Sequence, residues 1–139
     1  MSEGNFASGK CLCGNVKYSI SSGPDRMGQC HCEDCRRTSG TGHISNAFFD
    51  INAVTIEGET SSYSTKADSG STLTRFFCPN CGSRMFGKNS SKPNIISVTA
   101  GTLDNAEWFK PGFIVYNRDK PAWDFMDTSV PTFDEMPTA

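Results

Sequence analysis

Apolar and polar positions alternate with a period of two in short runs along this chain, and no long segment holds a helical period. Val16-Lys17-Tyr18-Ser19-Ile20 is the clearest alternation and predicts a strand. Ser21-Ser22-Gly23-Pro24-Asp25 predicts a turn. Strands are further predicted over residues 26–30, 43–49, 54–57, 61–64, 72–77, 84–87, 94–99 and 113–117, with Gly58 between the third and fourth of this series. One helical turn is predicted over 33–38, ended by Gly40 and Gly42, and a short helix over 104–109. Beyond Met126 the chain is rich in Pro, Thr and Asp and is expected to be loose. The reading is an all-β or β-dominated protein, with one domain over 6–125 and a loose tail over 126–139.

The 139 residues suit a single domain, and frequent Gly, Ser and Thr agree with many turns between strands. The net charge of −2 and a pI near 5.6 argue against nucleic acid or a membrane surface as the main partner. No apolar run approaches a membrane-spanning length. Oligomeric state is not encoded in any readable feature.

Seven cysteines alter the picture most. They stand in three clusters: Cys11-Leu12-Cys13, Cys30-His31-Cys32-Glu33-Asp34-Cys35 and Cys78-Pro79-Asn80-Cys81-Gly82. A disulfide framework fits poorly, because the count is odd and cysteines one or two residues apart bridge only under strain. Met1-Ser2-Glu3-Gly4-Asn5 has neither a basic start nor an apolar stretch, so a cytoplasmic location with reduced thiols is expected. Reduced clusters of this kind bind metal. The cysteine run of an iron–sulfur protein is absent. Zinc is therefore the expected ion, and seven thiols divide into a closed site of four and an open site of three.

Cys78-Pro79-Asn80-Cys81-Gly82 has the form of a zinc knuckle, in which a tight turn aims two sulfurs at one ion. Cys11 and Cys13 are natural donors of the second pair, since residues two apart on an extended chain point the same way. Pairing of Cys32 and Cys35 with the knuckle, as in a zinc ribbon, remains an alternative on spacing alone. Around the middle cluster, His31 is a candidate fourth ligand, yet its place between Cys30 and Cys32 points it away from them. His43 is a candidate proton-transfer group. Arg36 and Arg37 either offset thiolate charge or hold a substrate carboxylate. Trp108 and Trp123 are expected in the core or at its rim.

These residues together resemble the glutathione-dependent formaldehyde-activating enzyme family, which includes centromere protein V. The resemblance is carried by Cys11-Leu12-Cys13-Gly14-Asn15-Val16, by the run from Cys30 to Gly40, by Phe77-Cys78-Pro79-Asn80-Cys81-Gly82-Ser83, and by Lys120-Pro121-Ala122-Trp123. It implies a β-tent of several coiled antiparallel sheets. It implies one structural zinc on Cys11, Cys13, Cys78 and Cys81, and a second zinc with an open position on Cys30, Cys32 and Cys35. It also implies carbon–sulfur chemistry that joins glutathione and formaldehyde. The candidate catalytic group is then Cys30, Cys32 and Cys35, with His43 beside them read from its place after the glycine-rich stretch 39–42.

Two classes of function follow. In the first, the chain is a carbon–sulfur lyase or synthase acting on thiol–aldehyde adducts. Three thiolates leave a zinc ion formally at −1, a poor electrophile for an aldehyde but a soft partner for another sulfur. In the second, both zincs are structural and the chain is a binding or scaffold module. Methionine sulfoxide reduction would need a cysteine outside the metal sets, and none remains.

Overall fold

The computed structural model describes residues 5–136. Its strands are β1 (Ala7–Lys10), β2 (Lys17–Ile20), β3 (Arg26–Cys30), β4 (Ile44–Asp50), β5 (Val54–Glu57), β6 (Ser61–Lys66), β7 (Thr72–Phe77), β8 (Arg84–Asn89), β9 (Ile95–Thr99) and β10 (Phe113–Val115). The single α-helix among the described residues, α1 (Glu33–Ser39), follows β3. The strands form a small sheet in the order β1-β2-β5 and a larger one in the order β10-β3-β4-β9-β8-β7-β6. All ladders are antiparallel except β10 with β3. The all-β class is as the alternation indicated.

The larger sheet has two unlike faces, and the pleat makes them so. One row of cross-strand neighbours runs Met27, Ala47, Val98, Phe86, Phe76. It packs with Tyr18, Ile20, Phe49 and Ile96 into one core between the sheets. The adjacent row runs Arg26, Phe48, Ser97, Gly87, Arg75. That row carries polar and charged groups and faces a cavity instead. A one-residue register slip in β4 or β9 would exchange the faces, so core burial fixes the geometry of the cavity as well.

Three expectations are corrected. No helix forms over 104–109: the Asn105 side chain accepts from the Glu107 amide (3.0 Å), and this local bond competes with helical pairing. The strand expected over 113–117 ends at Val115, where Tyr116 turns left-handed (φ 56°) into a 3-10 turn over Asn117–Asp119. An additional strand, β1, pairs with β2 although Ala-Ser-Gly-Lys shows no alternation. Of the tail, the Ile114 amide donates to Pro131 and the Phe133 amide to Ile114, so residues 131–133 run beside β10. Residues 137–139 lie outside the described ones.

Candidate active site

The first and third cysteine clusters meet although 65 residues separate Cys13 from Cys78. The chain reverses after each pair in the same way. Gly14 (φ 83°) and Gly82 (φ 81°) take the left-handed conformation that a side chain would resist. The amides of Gly14 and Gly82 donate to the Cys11 and Cys78 carbonyls. Leu12 N–H donates to Ser83 Oγ (3.1 Å), tying one turn to the other. Sulfur–sulfur distances are 3.6 Å for Cys11–Cys13 and 3.7 Å for Cys13–Cys78. Bonds of about 2.3 Å in a tetrahedron place sulfurs about 3.8 Å apart, so the four thiols fit zinc. Backbone N–H groups of Val16, Asn80 and Cys81 point at these sulfurs and favour their thiolate forms. Cys81 is lowered to about 5, chiefly by the Ser83 hydroxyl and then by the Cys13 and Ser83 amides.

Cys30, at the end of β3, meets Cys32 and Cys35 at the start of α1, with all three sulfurs within 4.8 Å. Cys32 is the helix N-cap, and its sulfur accepts from the Cys35 amide. Hydrogen bonds from Cys30 and Cys35 lower the Cys32 thiol, aided by the Cys35 and Asp34 amides. Cys30, bonded to Cys32 and Cys35, is raised. One proton thus leaves readily and concentrates negative charge on a compact set of three sulfurs. A three-thiolate set with mutual contacts of this size fits a soft divalent ion and fills only three of four tetrahedral positions.

Cys30 and Cys35 also line the cavity of about 340 Å³ on the polar face of the larger sheet. Phe48 and Phe113 form an apolar wall, and the Arg26 guanidinium lies over both rings. Five cations line the space: Arg26, Arg75, Arg84, Lys88 and Lys92. Arg75 is buried and is held by Thr65 Oγ1 (2.7 Å) and Asp34 (3.6 Å). Burial disfavours the Arg84 charge, and the negative charge of Cys35 opposes that effect. Arg84 Nε and Asn46 Oδ1 are buried without a partner among the described residues, and both residues belong to this lining. Arg36 and Arg37 lie on α1 outside the lining, with Arg37 paired to Glu33 (2.8 Å).

The two histidines sit together. His31 is fully buried and turned away from its flanking cysteines, with its ring 5.5 Å from that of His43. His31 Nδ1 donates to the Gly42 carbonyl (3.0 Å), while His43 Nδ1 donates to Asp124 Oδ2 (2.7 Å). Asp124 Oδ2 also lies 3.3 Å from His31 Nδ1. These three side chains bring potential ligand atoms within 4.8 Å. However, both Nδ1 atoms are committed as donors, so we read a hydrogen-bonded triad. His43 Nε2 is left as an acceptor and faces the Gln29 amide (3.4 Å), a residue of the cavity lining.

Sequence reasoning missed Asp124, Gln29 and the five cavity cations. The last-named lie on β3, β7 and β8 and in the turn before β9, far apart in the chain, and only strand register brings them together. Trp108 packs on Phe6 and Phe49 at the core edge, and Trp123 is largely exposed.

Among solved structures, a Rhodobacter sphaeroides protein superposes with a TM-score of 0.57 at 21% identity, covering 70% of this chain and 88% of that one. At that identity the likeness is one of fold. No curated protein matches the chain. The family model described as glutathione-dependent formaldehyde-activating enzyme matches residues 6–119, which include all three cysteine clusters and every cavity-lining residue but Met136, and the chain belongs to that family.

Proposed function

We propose that the chain is a zinc-dependent carbon–sulfur lyase of the S-hydroxymethylglutathione synthase type, joining a small thiol to formaldehyde or cleaving the adduct. The observation that carries this reading is the three-thiol set of Cys30, Cys32 and Cys35 opening on a cavity that also bears cations. Cys11, Cys13, Cys78 and Cys81 hold a structural zinc in this reading, and Cys30, Cys32 and Cys35 hold the second. Zinc in the second set supplies a soft electrophile that lowers the proton affinity of a thiol brought to its open side.

The chain's own residues do the rest. Arg26 and Lys92 draw in an anionic thiol and orient it with its sulfur toward Cys30 and Cys35. Arg36 and Arg37 add positive field beside the thiolates. Phe48 and Phe113 exclude water from one side of the cavity. His43 Nε2 takes the thiol proton, and Asp124 holds the resulting imidazolium. The sulfur lone pair then forms the carbon–sulfur bond as the carbonyl π pair moves to oxygen. His43 returns the proton to that oxygen, giving the hydroxymethyl thioether, and reversal of these steps cleaves it. A cytoplasmic setting, which keeps thiols reduced, suits this chemistry.

Cobalt in place of zinc tests the reading. A millimolar thiol is expected to alter the sulfur-to-cobalt charge-transfer bands, and Cys32→Ser to abolish the change. Spectra indifferent to thiol would favour the scaffold alternative.

A further inference from the structure

The two edge strands of the larger sheet come together. The sheet runs from β10 to β6, and laid flat its six spacings of about 4.8 Å would hold those edges roughly 29 Å apart. Yet the hydroxyl of Tyr116, one residue past β10, donates to Oδ2 of Asp68 (2.9 Å), two residues past β6. The sheet is therefore rolled. It rolls around the cavity, since Phe113 and Val115 of β10 line that space together with Leu73 and Arg75 of β7.

An unusual backbone marks the donor. Phe113 and Val115 face the cavity, so continued alternation would put Tyr116 on the other side with the buried Ile114. A left-handed conformation (φ 56°, ψ 39°) breaks that alternation, and Tyr116 is the one non-glycine residue with positive φ among the described residues. Such a conformation persists where surrounding contacts hold it, and it is found at functional sites. Val115 is the register partner of Cys30, so Tyr116 follows directly on the strand pair that delivers the thiol set. Burial first, then the Asp68 bond and charge, hold the Tyr116 phenol above its usual range, so it stays a donor.

The acceptor sits on a piece of chain with a single outside tie. Residues 67–71 form the turn between β6 and β7 and are closed by their own bonds. The Ala67 amide donates to the Ser71 carbonyl (2.8 Å), the Gly70 amide to the Ala67 carbonyl (2.9 Å), and Ser69 Oγ meets Ser71 Oγ (3.0 Å). Among the described residues, Tyr116–Asp68 is the only hydrogen bond that leaves this turn. β7 and β8 are fastened separately to α1, by Arg75 to Asp34 (3.6 Å) and Arg84 to Thr38 Oγ1. The part free to move is the hairpin tip, which leads into Leu73 of the lining. Asp68 is exposed, so water competes for the bond and its net strength is small.

We infer that the Tyr116–Asp68 hydrogen bond is a latch on the cavity. Closed, it holds the β6–β7 tip against the end of β10. Open, it lets the tip swing away and admits reactants to Cys30, Cys32 and Cys35. Closure after entry keeps bulk water from the reacting atoms. Calling the entrant a thiol rests on the proposed function, whereas the latch concerns only the cavity.

Maleimide labelling reads the latch without any carbon–sulfur bond exchange. Initial rates of N-ethylmaleimide addition to the full zinc-loaded chain are followed for each cysteine by peptide mass spectrometry. Tyr116→Phe removes only the hydroxyl and should make Cys30 and Cys35 label at least about threefold faster, the effect of one ordinary net hydrogen bond on the open population. Cys78, buried in the other set, should keep its rate. Asp68→Ala should match Tyr116→Phe, and the double variant should go no further than either. Asp68→Asn keeps an acceptor oxygen and should stay near the native rate. Unaltered Cys30 and Cys35 rates in Tyr116→Phe overturn the inference, and so does a rise shared equally by Cys78, which means loosening of the whole chain. The cobalt bands report the other matter. Bands indifferent to thiol with accelerated labelling would reject the thiol chemistry alone, while changed bands without acceleration would reject the latch alone.

Discussion

Asp124 Oδ2 stands 2.7 Å from Nδ1 of His43, across 81 residues of chain. The carboxylate is presented by a compact turn, in which the Asp124 amide donates to the Pro121 carbonyl and Lys120 Nζ donates to the Asp124 carbonyl (3.1 Å). An acceptor at Nδ1 forces the proton of neutral His43 onto that nitrogen and leaves Nε2 free toward Gln29. In the proposed mechanism Asp124 therefore acts through His43 as a positioning residue. Asp124→Asn is expected to lower kcat about 10- to 100-fold with little change in KM. Its pH–rate profile should shift to show a weaker base. An unchanged profile with unchanged kcat would remove His43 from proton transfer.

Gly42 makes that arrangement possible. A Cβ at this position would stand 2.5 Å from the Asp124 carboxyl carbon, so alanine must push the carboxylate off His43. Gly42→Ala should reproduce the Asp124→Asn defect, and the double variant should be no worse than either single one. Additive losses would mean that the two substitutions act on different things.

The two thiol sets should separate stability from activity. Cys11, Cys13, Cys78 and Cys81 join parts of the chain far apart in sequence, so the zinc proposed there would contribute its binding energy to folding. Cys30, Cys32 and Cys35 come from one short stretch and cross-link little. Cys81→Ser is expected to lower Tm by more than about 10 °C. Cys32→Ser should lower it by only a few degrees while abolishing activity and halving bound zinc. Melts with metal analysis on both variants check this, and equal losses of Tm would contradict the division.

What the sequence made legible is what is local. The cysteine clusters, the turn glycines and the period-two runs each lie within a few residues, and the strands over 26–30, 54–57 and 72–77 fall where the alternation put them. β1 escaped because Ala7-Ser8-Gly9-Lys10 offers no apolar face; it is strand because Gly9 lets Tyr18 lie against its backbone. Arg36 and Arg37 drew notice by adjacency to Cys35, whereas Arg26 and Arg75 reach the same cavity through four strand pairings. Asp124 had no signal beyond its place after Trp123, since its partner lies 81 residues away.

Tyr18 supplies an alkaline test of the core. Its hydroxyl lies 2.8 Å from Thr102 Oγ1, and that hydroxyl donates onward to the Thr99 carbonyl (2.8 Å), so Tyr18 must be the donor. Burial pushes the phenol up to about 12, with the nearby Asp104 charge adding to the shift. A folded-state value above the unfolded one near 10 means that the contribution to stability is fully present below pH 10. From pH 10 to 12 the unfolded chain gives up this proton while the native chain keeps it, so stability falls. The loss due to Tyr18 is about 1 kcal/mol at pH 11. Tyr18→Phe keeps the ring against Phe86 and removes the titration. Denaturant unfolding of both proteins at pH 9 and pH 11 should show the native chain losing about 1 kcal/mol more than the variant, because other alkaline groups act equally on both. Parallel losses would mean that the phenol ionises in the folded state as easily as in water, and that the Tyr18–Thr102 contact admits solvent.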